Sequence, residues 1–282
     1  MVDGIRPKNL KEALKILSDQ QCTIMAGGTD LMVQRARGFA LAPDFKKPLL
    51  FIEHLSELKK ITVENNEIHI GACAILTDIM ESEIVPSIFK EMIGQMASPP
   101  TRNMATIAGN ICNASPAGDT LPYLYAVNAK IKLRSVDSTR IIHISDFILS
   151  PKKTCLRTDE ILTDIMIPNK EFTVNYYRKL GQRKGMSLTK ASLLGMADIQ
   201  DHTILNVRIA LGSVAASIVH STEIEESMKN KKIETILNDP DMILAQYGNL
   251  IRPIDDARST AIYRKKASLG MIKQFLETLD KE

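Results

Sequence analysis

One stretch, residues 106–119, constrains the fold of this chain most, because it combines flexible and short polar residues with little bulk. It holds two glycines, two asparagines, two small hydroxyl residues and a closing aspartate, with no lysine or arginine. Glycine lets the backbone approach a ligand closely, and Asn, Ser and Thr supply short, directional hydrogen bonds. A second glycine-bearing segment, residues 26–31, lies about eighty residues upstream after a short apolar run. The two segments together predict one ligand held by two loops.

The segment 26–31, the first loop, has the sequence of a loop that binds an anion. The apolar run 23–25 predicts a strand before it, and residues 30–33 predict a helix start after it. Successive backbone N–H groups in such a connection face an anion, and a pyrophosphate suits them. Each loop alone is also ordinary turn chemistry, so the ligand hypothesis depends on the pair. Because neither G-x-G-x-x-G nor G-x-x-x-x-G-K-[ST] occurs, a Rossmann site and a P-loop are excluded.

These loops resemble the two FAD-binding loops in the flavoprotein subunits of molybdenum hydroxylases. That family includes the FAD subunits or domains of xanthine dehydrogenase, carbon monoxide dehydrogenase and nicotinate dehydrogenase. The resemblance covers nearly the whole chain, because further motifs follow in family order. They are Arg102-Asn103, residues 159–163 with Ile167-Pro168, residues 177–180 with Arg183-Lys184, residues 208–214, residues 251–253, residues 256–258 and Tyr263-Arg264.

The resemblance implies an α+β fold in two domains. Residues 1–170 would form a two-lobed FAD-binding domain of the vanillyl-alcohol-oxidase-like (PCMH) type, with a small lobe over about 1–55 and a larger lobe over about 56–170. Residues 171–282 would form a C-terminal domain with an antiparallel sheet and packed helices. The composition of residues 169–172 is that of a domain boundary.

Local patterns predict the elements around the loops. A helix begins after the N-cap Asn9 and carries an apolar stripe. Pro99 and Pro100 predict an extended segment that leads into the second loop, residues 106–119. The other predicted elements are strands at 49–52 and 159–168, hairpins at 61–70, 130–144 and 192–214, and helices at 84–96, 120–127, 223–228, 233–237, 242–247 and 267–279.

The resemblance also implies which residues bind FAD. The expected cofactor-binding residues are Ile24, Met25, Ala26, Gly27, Gly28, Thr29, Asp30, Leu31, Arg102, Thr106, Gly109, Asn110, Cys112, Asn113, Ser115, Gly118, Asp119, Leu162 and Lys179. Lys179 would stand near the isoalloxazine, where a positive charge stabilises the anionic reduced flavin; a surface lysine is the alternative. Asp119 would bond ribityl or ribose hydroxyls, because a carboxylate repels a pyrophosphate. Asp30 would cap its own helix or turn, and Leu162 would lie against the flavin, with a core leucine as the default.

One departure from the family pattern bears on cofactor affinity. Ala108 stands where the family often has a glycine, and its extra methyl group is tolerable only if Ala108 keeps a negative φ. Residues 98–101 also differ, since a glutamine is common there. Weaker FAD affinity is therefore expected if Ala108 does not keep a negative φ.

No catalytic residue and no metal site are predicted. A flavin carries out the redox chemistry itself, so the protein need only position and tune it. Cys22, Cys73, Cys112 and Cys155 show no C-x-x-C spacing, and the histidines show no H-x-x-x-H spacing. Cys112 is expected to be a small buried filler rather than a reactive thiol. Ser115 lies in no G-x-S-x-G elbow, so a hydrolase triad is not expected.

Composition excludes several classes of partner. With 282 residues, 44% of them hydrophobic and 24% charged, the chain is long enough for two domains. A net charge of +3 with scattered lysines and arginines argues against nucleic acid. No apolar run approaches the roughly 20 residues that span a bilayer, so no membrane interaction is expected. The N-terminus lacks a signal-like pattern, so a cytoplasmic location is predicted.

The family resemblance implies an FAD-binding electron-transfer subunit. A larger partner would carry molybdopterin and oxidise the substrate, and a small partner would carry two [2Fe-2S] clusters. Electrons would pass from the clusters to FAD and then to NAD+ or another acceptor. Two alternatives remain open: a stand-alone flavin oxidoreductase of the same fold, and a non-enzymatic scaffold that has lost FAD.

Overall fold

The computed structural model describes residues 2–183 and 185–281, so Lys184 of the motif beside Arg183 lies outside the described residues. The chain folds into two compact units, each built from separate stretches of sequence. Unit 1 consists of Met1–Val85, Ala97–Ala114 and Ala129–Asn169, and unit 2 consists of Pro86–Met96, Ser115–Asn128 and Lys170–Glu282. The second loop therefore contributes to both units. The division at residue 170 stays a prediction.

A small parallel sheet in unit 1 carries the first loop at one edge. Its strands are β1 (Gly4–Ile5), β2 (Thr23–Met25) and β3 (Leu49–Phe51), in the order β1-β3-β2. Helix α1 (Leu10–Asp19) connects β1 to β2, and its N-cap Asn9 accepts a 2.9 Å hydrogen bond from the Glu12 N–H, as predicted. The first loop follows β2 and leads into the short helix α2 (Leu31–Arg35). Carboxyl ends of parallel strands are common places for ligand sites.

The larger sheet of unit 1 is antiparallel and has five strands. Their order is β4 (Ile61–Glu64), β5 (Glu67–Gly71), β10 (Ile161–Pro168), β6 (Lys130–Arg134) and β7 (Thr139–His143). Asn65 and Asn66 turn the chain between β4 and β5 with left-handed φ angles, which Asn tolerates better than most residues. On β5 the side chains of Ile68 and Ile70 are fully buried, and a one-residue slip would expose them. Both hairpins predicted for this sheet are confirmed.

Short helices and a small hairpin complete unit 1. The helices are α3 (Leu76–Glu81), α5 (Pro99–Arg102), α6 (Ile107–Cys112) and α8 (Ile144–Phe147), and the hairpin strands are β8 (Ile148–Ser150) and β9 (Lys153–Thr154). The extended segment predicted at Pro99 and Pro100 is wrong, because both prolines lie in the first turn of α5 after the extended Ser98. A proline in that turn loses no hydrogen bond, since first-turn N–H groups have no partner within the helix.

Unit 2 is a four-stranded antiparallel sheet with packed helices, as the resemblance implied. The strands, in spatial order, are β11 (Val174–Leu180), β12 (Ala191–Gln200), β13 (Thr203–Gly212) and β14 (Val219–His220), and the helices are α4 (Ser87–Gly94), α7 (Leu121–Ala126), α9 (Thr222–Met228), α10 (Ile233–Asn238), α11 (Pro240–Leu250) and α12 (Ala261–Thr278). Gly195 lets α12 approach β12, because a Cβ there would lie 2.4 Å from Cδ2 of Phe275. Helix α12 begins earlier than predicted, since Thr260 caps it by accepting from the Tyr263 N–H. Within residues 2–183 and 185–281, no helix is long and apolar enough to cross a membrane.

Candidate functional site

The first loop makes a backbone contact that only glycine permits. A Cβ on Gly27 would lie 1.8 Å from the carbonyl oxygen of Met104, so no side chain fits at this position. Met104 lies two residues before Thr106, where the second loop begins. Gly28 has a φ of 69°, in the left-handed region that favours glycine. Gly27 therefore brings the first loop against residues 104 and 105, which lead into the second loop, as the paired loops predicted.

The backbone N–H groups of residues 27–31 form a row of available donors. Within the described residues, none of these five groups has an acceptor, and the next donor in sequence, the Met32 N–H, bonds the Gly28 carbonyl at 2.9 Å. Successive N–H groups around a left-handed residue form an anion-binding concavity. This donor set fits the pyrophosphate of a dinucleotide cofactor such as FAD, because phosphate oxygens accept hydrogen bonds from several donors at once.

The first part of the second loop differs, because its backbone donors are already used. Thr106 caps α6, its side chain accepting a 3.1 Å bond from the Gly109 N–H. The N–H groups of residues 107 and 108 donate to carbonyls of residues 74 and 72. Residues 107–109 of the second loop therefore have no N–H group left for a ligand. Ala108 has a negative φ and lies within α6, so the condition for tolerating its methyl group is met.

A chain of side-chain hydrogen bonds links the two loops within unit 1. Gln34 Nε2 donates to Asn113 Oδ1 at 2.9 Å and also to the carboxylate of Asp30. Lys152 Nζ donates to the same Asn113 Oδ1 at 2.5 Å. We call Asp30, Gln34, Asn113 and Lys152 the polar network. It brings together two predicted residues, Asp30 and Asn113, and two residues that sequence reasoning missed.

The expectation that Asp30 caps its own helix is wrong. Asp30 occupies the N-cap position of α2, but its side chain makes no capping bond and accepts from Gln34 instead. The reason is its backbone, which is α-helical, with φ −101° and ψ −41°. A capping side chain needs an extended backbone at that position to reach the N–H groups.

In unit 2, Asp119 is the centre of a buried polar cluster. Lys179 Nζ lies 2.6 Å from Asp119 Oδ2 and 3.1 Å from the carbonyl oxygen of Gln95. Thr189 Oγ1 donates to Asp119 Oδ1 at 2.6 Å, a partner that the sequence did not suggest. The Lys179 side chain is only 6% exposed, so the alternative of a surface lysine is excluded. Both carboxylate oxygens of Asp119 therefore accept strong hydrogen bonds within the protein.

The other expected residues of unit 1 have varied surroundings. Arg102 ends α5 and its Nη1 donates to the Ala97 carbonyl at 3.2 Å. Leu162 is buried in β10, next to a register shift between residues 162 and 164. Cys112 is half-buried, and its surroundings raise the pKa of its thiol to about 12, which argues against a reactive thiol. Ile24 and Met25 lie in β2, and Asn110 lies in α6.

Ser115 and Gly118 shape the part of the second loop that belongs to unit 2. Ser115 accepts hydrogen bonds from the N–H groups of Ala117 and Gly118, at its side chain and its carbonyl respectively. This turn leads directly into Asp119. As for metals, the described part of the chain has no group of three or more His, Cys, Asp or Glu residues placed to hold an ion.

Comparison with known proteins gives matches along most of the chain. A family model for the FAD binding domain in molybdopterin dehydrogenase matches residues 1–170, and a model for the CO dehydrogenase flavoprotein C-terminal domain matches residues 176–279. The glyceraldehyde dehydrogenase medium chain of Sulfolobus acidocaldarius is 30% identical, over 93% of this chain and 92% of its own. The nicotinate dehydrogenase FAD-subunit of Eubacterium barkeri is 27% identical, over 97% and 95%. CO dehydrogenase from Oligotropha carboxidovorans shares the fold, with a TM-score of 0.88 at 23% identity over 98% of this chain and 96% of that chain.

Proposed function

This chain belongs to the FAD-binding subunits of the molybdopterin dehydrogenases, and from that premise we propose that it conducts electrons between a partner subunit and an external acceptor. It is an oxidoreductase subunit with FAD as its cofactor. FAD, when bound, supplies the redox chemistry, and the protein contributes binding, orientation and electrostatics. The electrons would come from [2Fe-2S] clusters of a partner and leave to NAD+ or another acceptor.

The observation that carries the proposal is the donor row of residues 27–31. Five N–H groups without an acceptor in the described chain, held against the second loop by Gly27, suit the pyrophosphate of FAD. In unit 1 the second loop would add side chains, among them Asn110 and Asn113, and Leu162 would lie against the flavin. In unit 2 we propose that Asp119 and Lys179 contact FAD. We also propose that the other residues expected from the sequence to bind FAD contribute to the cofactor site.

The partners are proposed from the same family membership. Relatives carry the names medium chain and FAD-subunit, which describe one chain among several. We propose a large subunit that binds molybdopterin and oxidises the organic substrate, and a small subunit with two [2Fe-2S] clusters. A cytoplasmic location also remains a proposal. In this arrangement the present chain does not oxidise the organic substrate itself.

Co-purification and acceptor assays test this function. The tagged chain is purified from its native host, and its companions are identified by mass spectrometry, metal analysis and flavin extraction. We expect FAD with stoichiometric iron and molybdenum in the complex, and FAD alone in the separated chain. If NAD+ is the acceptor, addition of NADH should reduce and bleach the flavin of the separated chain. If NADH does not bleach the flavin, quinones, oxygen and dyes are compared as oxidants of the reduced complex.

Two results would contradict the proposal. A chain that purifies alone with FAD and oxidises an organic substrate would be a stand-alone flavin oxidoreductase. A colourless chain that also fails to bind added FAD would be a scaffold. The Gly270→Ala variant serves as a preparation control, since a Cβ at Gly270 meets nothing within 4 Å.

A further inference from the structure

Lys152 stands at the first loop, although it lies far from that loop in sequence. Its ammonium group donates to Asn113 Oδ1 at 2.5 Å, and Gln34, one turn after the first loop, donates to the same oxygen at 2.9 Å. The backbone of Lys152 is held too, since its N–H donates to the Ala114 carbonyl at 2.8 Å. Lys152 lies in the turn between β8 and β9 and has a φ of 63°. Backbone and side chain of Lys152 thus both contact the second loop.

The two donors fix the orientation of the Asn113 amide. Because Oδ1 accepts from Gln34 and Lys152, the amide oxygen faces these residues and the NH2 group faces away from them. Asn113 therefore offers donors, not an acceptor, to a ligand. An ammonium group has three donors, and Lys152 uses one of them on Asn113. The NH2 group of Asn113 and the remaining ammonium donors of Lys152 therefore suit a negatively charged ligand.

The first loop itself supplies no positive charge. Its only ionisable side chain in residues 26–31 is Asp30, which is negative and bonds Gln34. A pyrophosphate that is held by neutral N–H groups binds more tightly when a cation also donates to it. The reason is that charge-assisted hydrogen bonds are roughly twice as strong as neutral ones. Within the polar network the cation is Lys152.

We propose that Lys152 is a further FAD-binding residue, whose ammonium group pairs with the pyrophosphate held by residues 27–31. Asn113, oriented by Lys152 and Gln34, donates its NH2 group to the same ligand. The inference rests on FAD binding by the first loop. It predicts that Lys152 contributes to the affinity for the phosphate part of the cofactor and not for the isoalloxazine part.

Flavin titrations of the full chain test this role. Apoprotein is titrated with FAD and with riboflavin, which lacks the pyrophosphate, and binding is followed by flavin fluorescence. The variants are Lys152→Ala, Lys152→Arg and the matched control Lys153→Ala, which removes the same charge from the adjacent exposed position. Circular dichroism and thermal melting check that all variants fold.

We expect Lys152→Ala to weaken FAD binding by about tenfold and to change riboflavin binding less than about twofold. Lys152→Arg should restore most of the affinity, and Lys153→Ala should match the wild type. Raising KCl from about 50 to 500 mM should weaken FAD binding by the wild type more than by Lys152→Ala. ADP should compete with FAD less well in Lys152→Ala.

Other results would overturn the inference. Equal FAD affinity in Lys152→Ala and the wild type would remove Lys152 from the site and leave FAD binding intact. Equal losses for FAD and riboflavin would assign Lys152 a structural role instead. A wild type that binds riboflavin but not FAD would overturn both the role of Lys152 and FAD binding by the first loop.

Discussion

Lys179 and Asp119 form a buried ion pair, with Nζ 2.6 Å from Oδ2 and side chains 6% and 12% exposed. Both were expected to contact FAD, and here each is the other's partner. The pair carries no net charge, so Lys179 brings no uncompensated positive charge to its surroundings. Asp119 also holds Thr189, which fixes its second oxygen.

Removing one member of this pair should destabilise the protein. For Asp119→Asn or Lys179→Met we expect a loss of about 3 kcal/mol in the free energy of unfolding, because the remaining charge is buried without its partner. The double variant should lose less than the sum of the two single losses. Urea unfolding at neutral pH measures all three. The control is Lys170→Met, since the Lys170–Asp198 pair is similarly short but Lys170 is 44% exposed, and we expect a loss below about 1 kcal/mol.

The Gly27→Ala substitution should weaken FAD binding. The added Cβ would lie 1.8 Å from the Met104 carbonyl, so the first loop must move away from the second. A displacement that costs about 2 kcal/mol corresponds to roughly thirtyfold in Kd. Equilibrium dialysis with FAD measures the change against Gly270→Ala. A Gly27→Ala protein with wild-type affinity would show that the contact of the first loop with Met104 has no part in binding.

Glu160 should make the protein sensitive to acid. Burial opposes its ionisation, but hydrogen bonds from Arg140 and from the Arg157 N–H outweigh burial and hold its pKa below the usual range. A carboxylate with a lowered pKa stabilises the fold at pH above its unfolded value of about 4.3. That stabilisation is lost as the pH falls through the folded pKa.

The Glu160→Gln variant therefore has a specific pH signature. Its unfolding free energy should lie below that of the wild type at neutral pH, and the difference should shrink as the pH falls below about 4. Glu67→Gln is the matched control, because the Glu67–Lys130 pair lies in the same sheet but is more exposed. A constant difference between Glu160→Gln and wild type across this range would contradict the assignment.

Cys112 should resist alkylation in the native protein. Burial raises its pKa to about 12, so almost no thiolate is present at pH 8. Iodoacetamide labelling followed by peptide mass spectrometry should find Cys112 unmodified in the native chain and modified after unfolding in urea. Cys73, whose pKa burial also raises to about 12, should behave alike. Rapid native labelling of Cys112 alone would instead identify a reactive thiol beside the second loop.

Sequence patterns predicted the local elements well, because local interactions determine them. The Asn9 cap, the hairpin turn at Asn65 and Asn66, and the apolar runs that become β12 and β13 all depend on residues close in sequence. The segment at Pro99 and Pro100 was mispredicted for a related reason. Proline fits both an extended segment and a first helical turn, and here the extended residue is Ser98, while Pro99 and Pro100 begin α5.

The polar partners of the site were less predictable. Gln34 and Lys152 reach the polar network of unit 1, and Thr189 reaches Asp119 of unit 2, by tertiary contacts. Their sequence surroundings are those of ordinary helix, turn and loop residues. Lys152 follows a proline in a two-residue connection, which marks a turn and nothing more. Spacing alone does not encode a contact between residues 113 and 152.

The interleaved arrangement of the two units has a consequence for biosynthesis. The backbone passes from one unit to the other five times, at residues 85, 96, 114, 128 and 169. Phe89 and Tyr123, whose rings stack 4.3 Å apart in unit 2, leave the ribosome well before the strands of that unit's sheet are made. Their apolar surface stays exposed until the C-terminal half of the chain has been made. Chaperones protect nascent chains during such a period. A chain truncated at residue 170 would leave this aromatic pair permanently without its sheet.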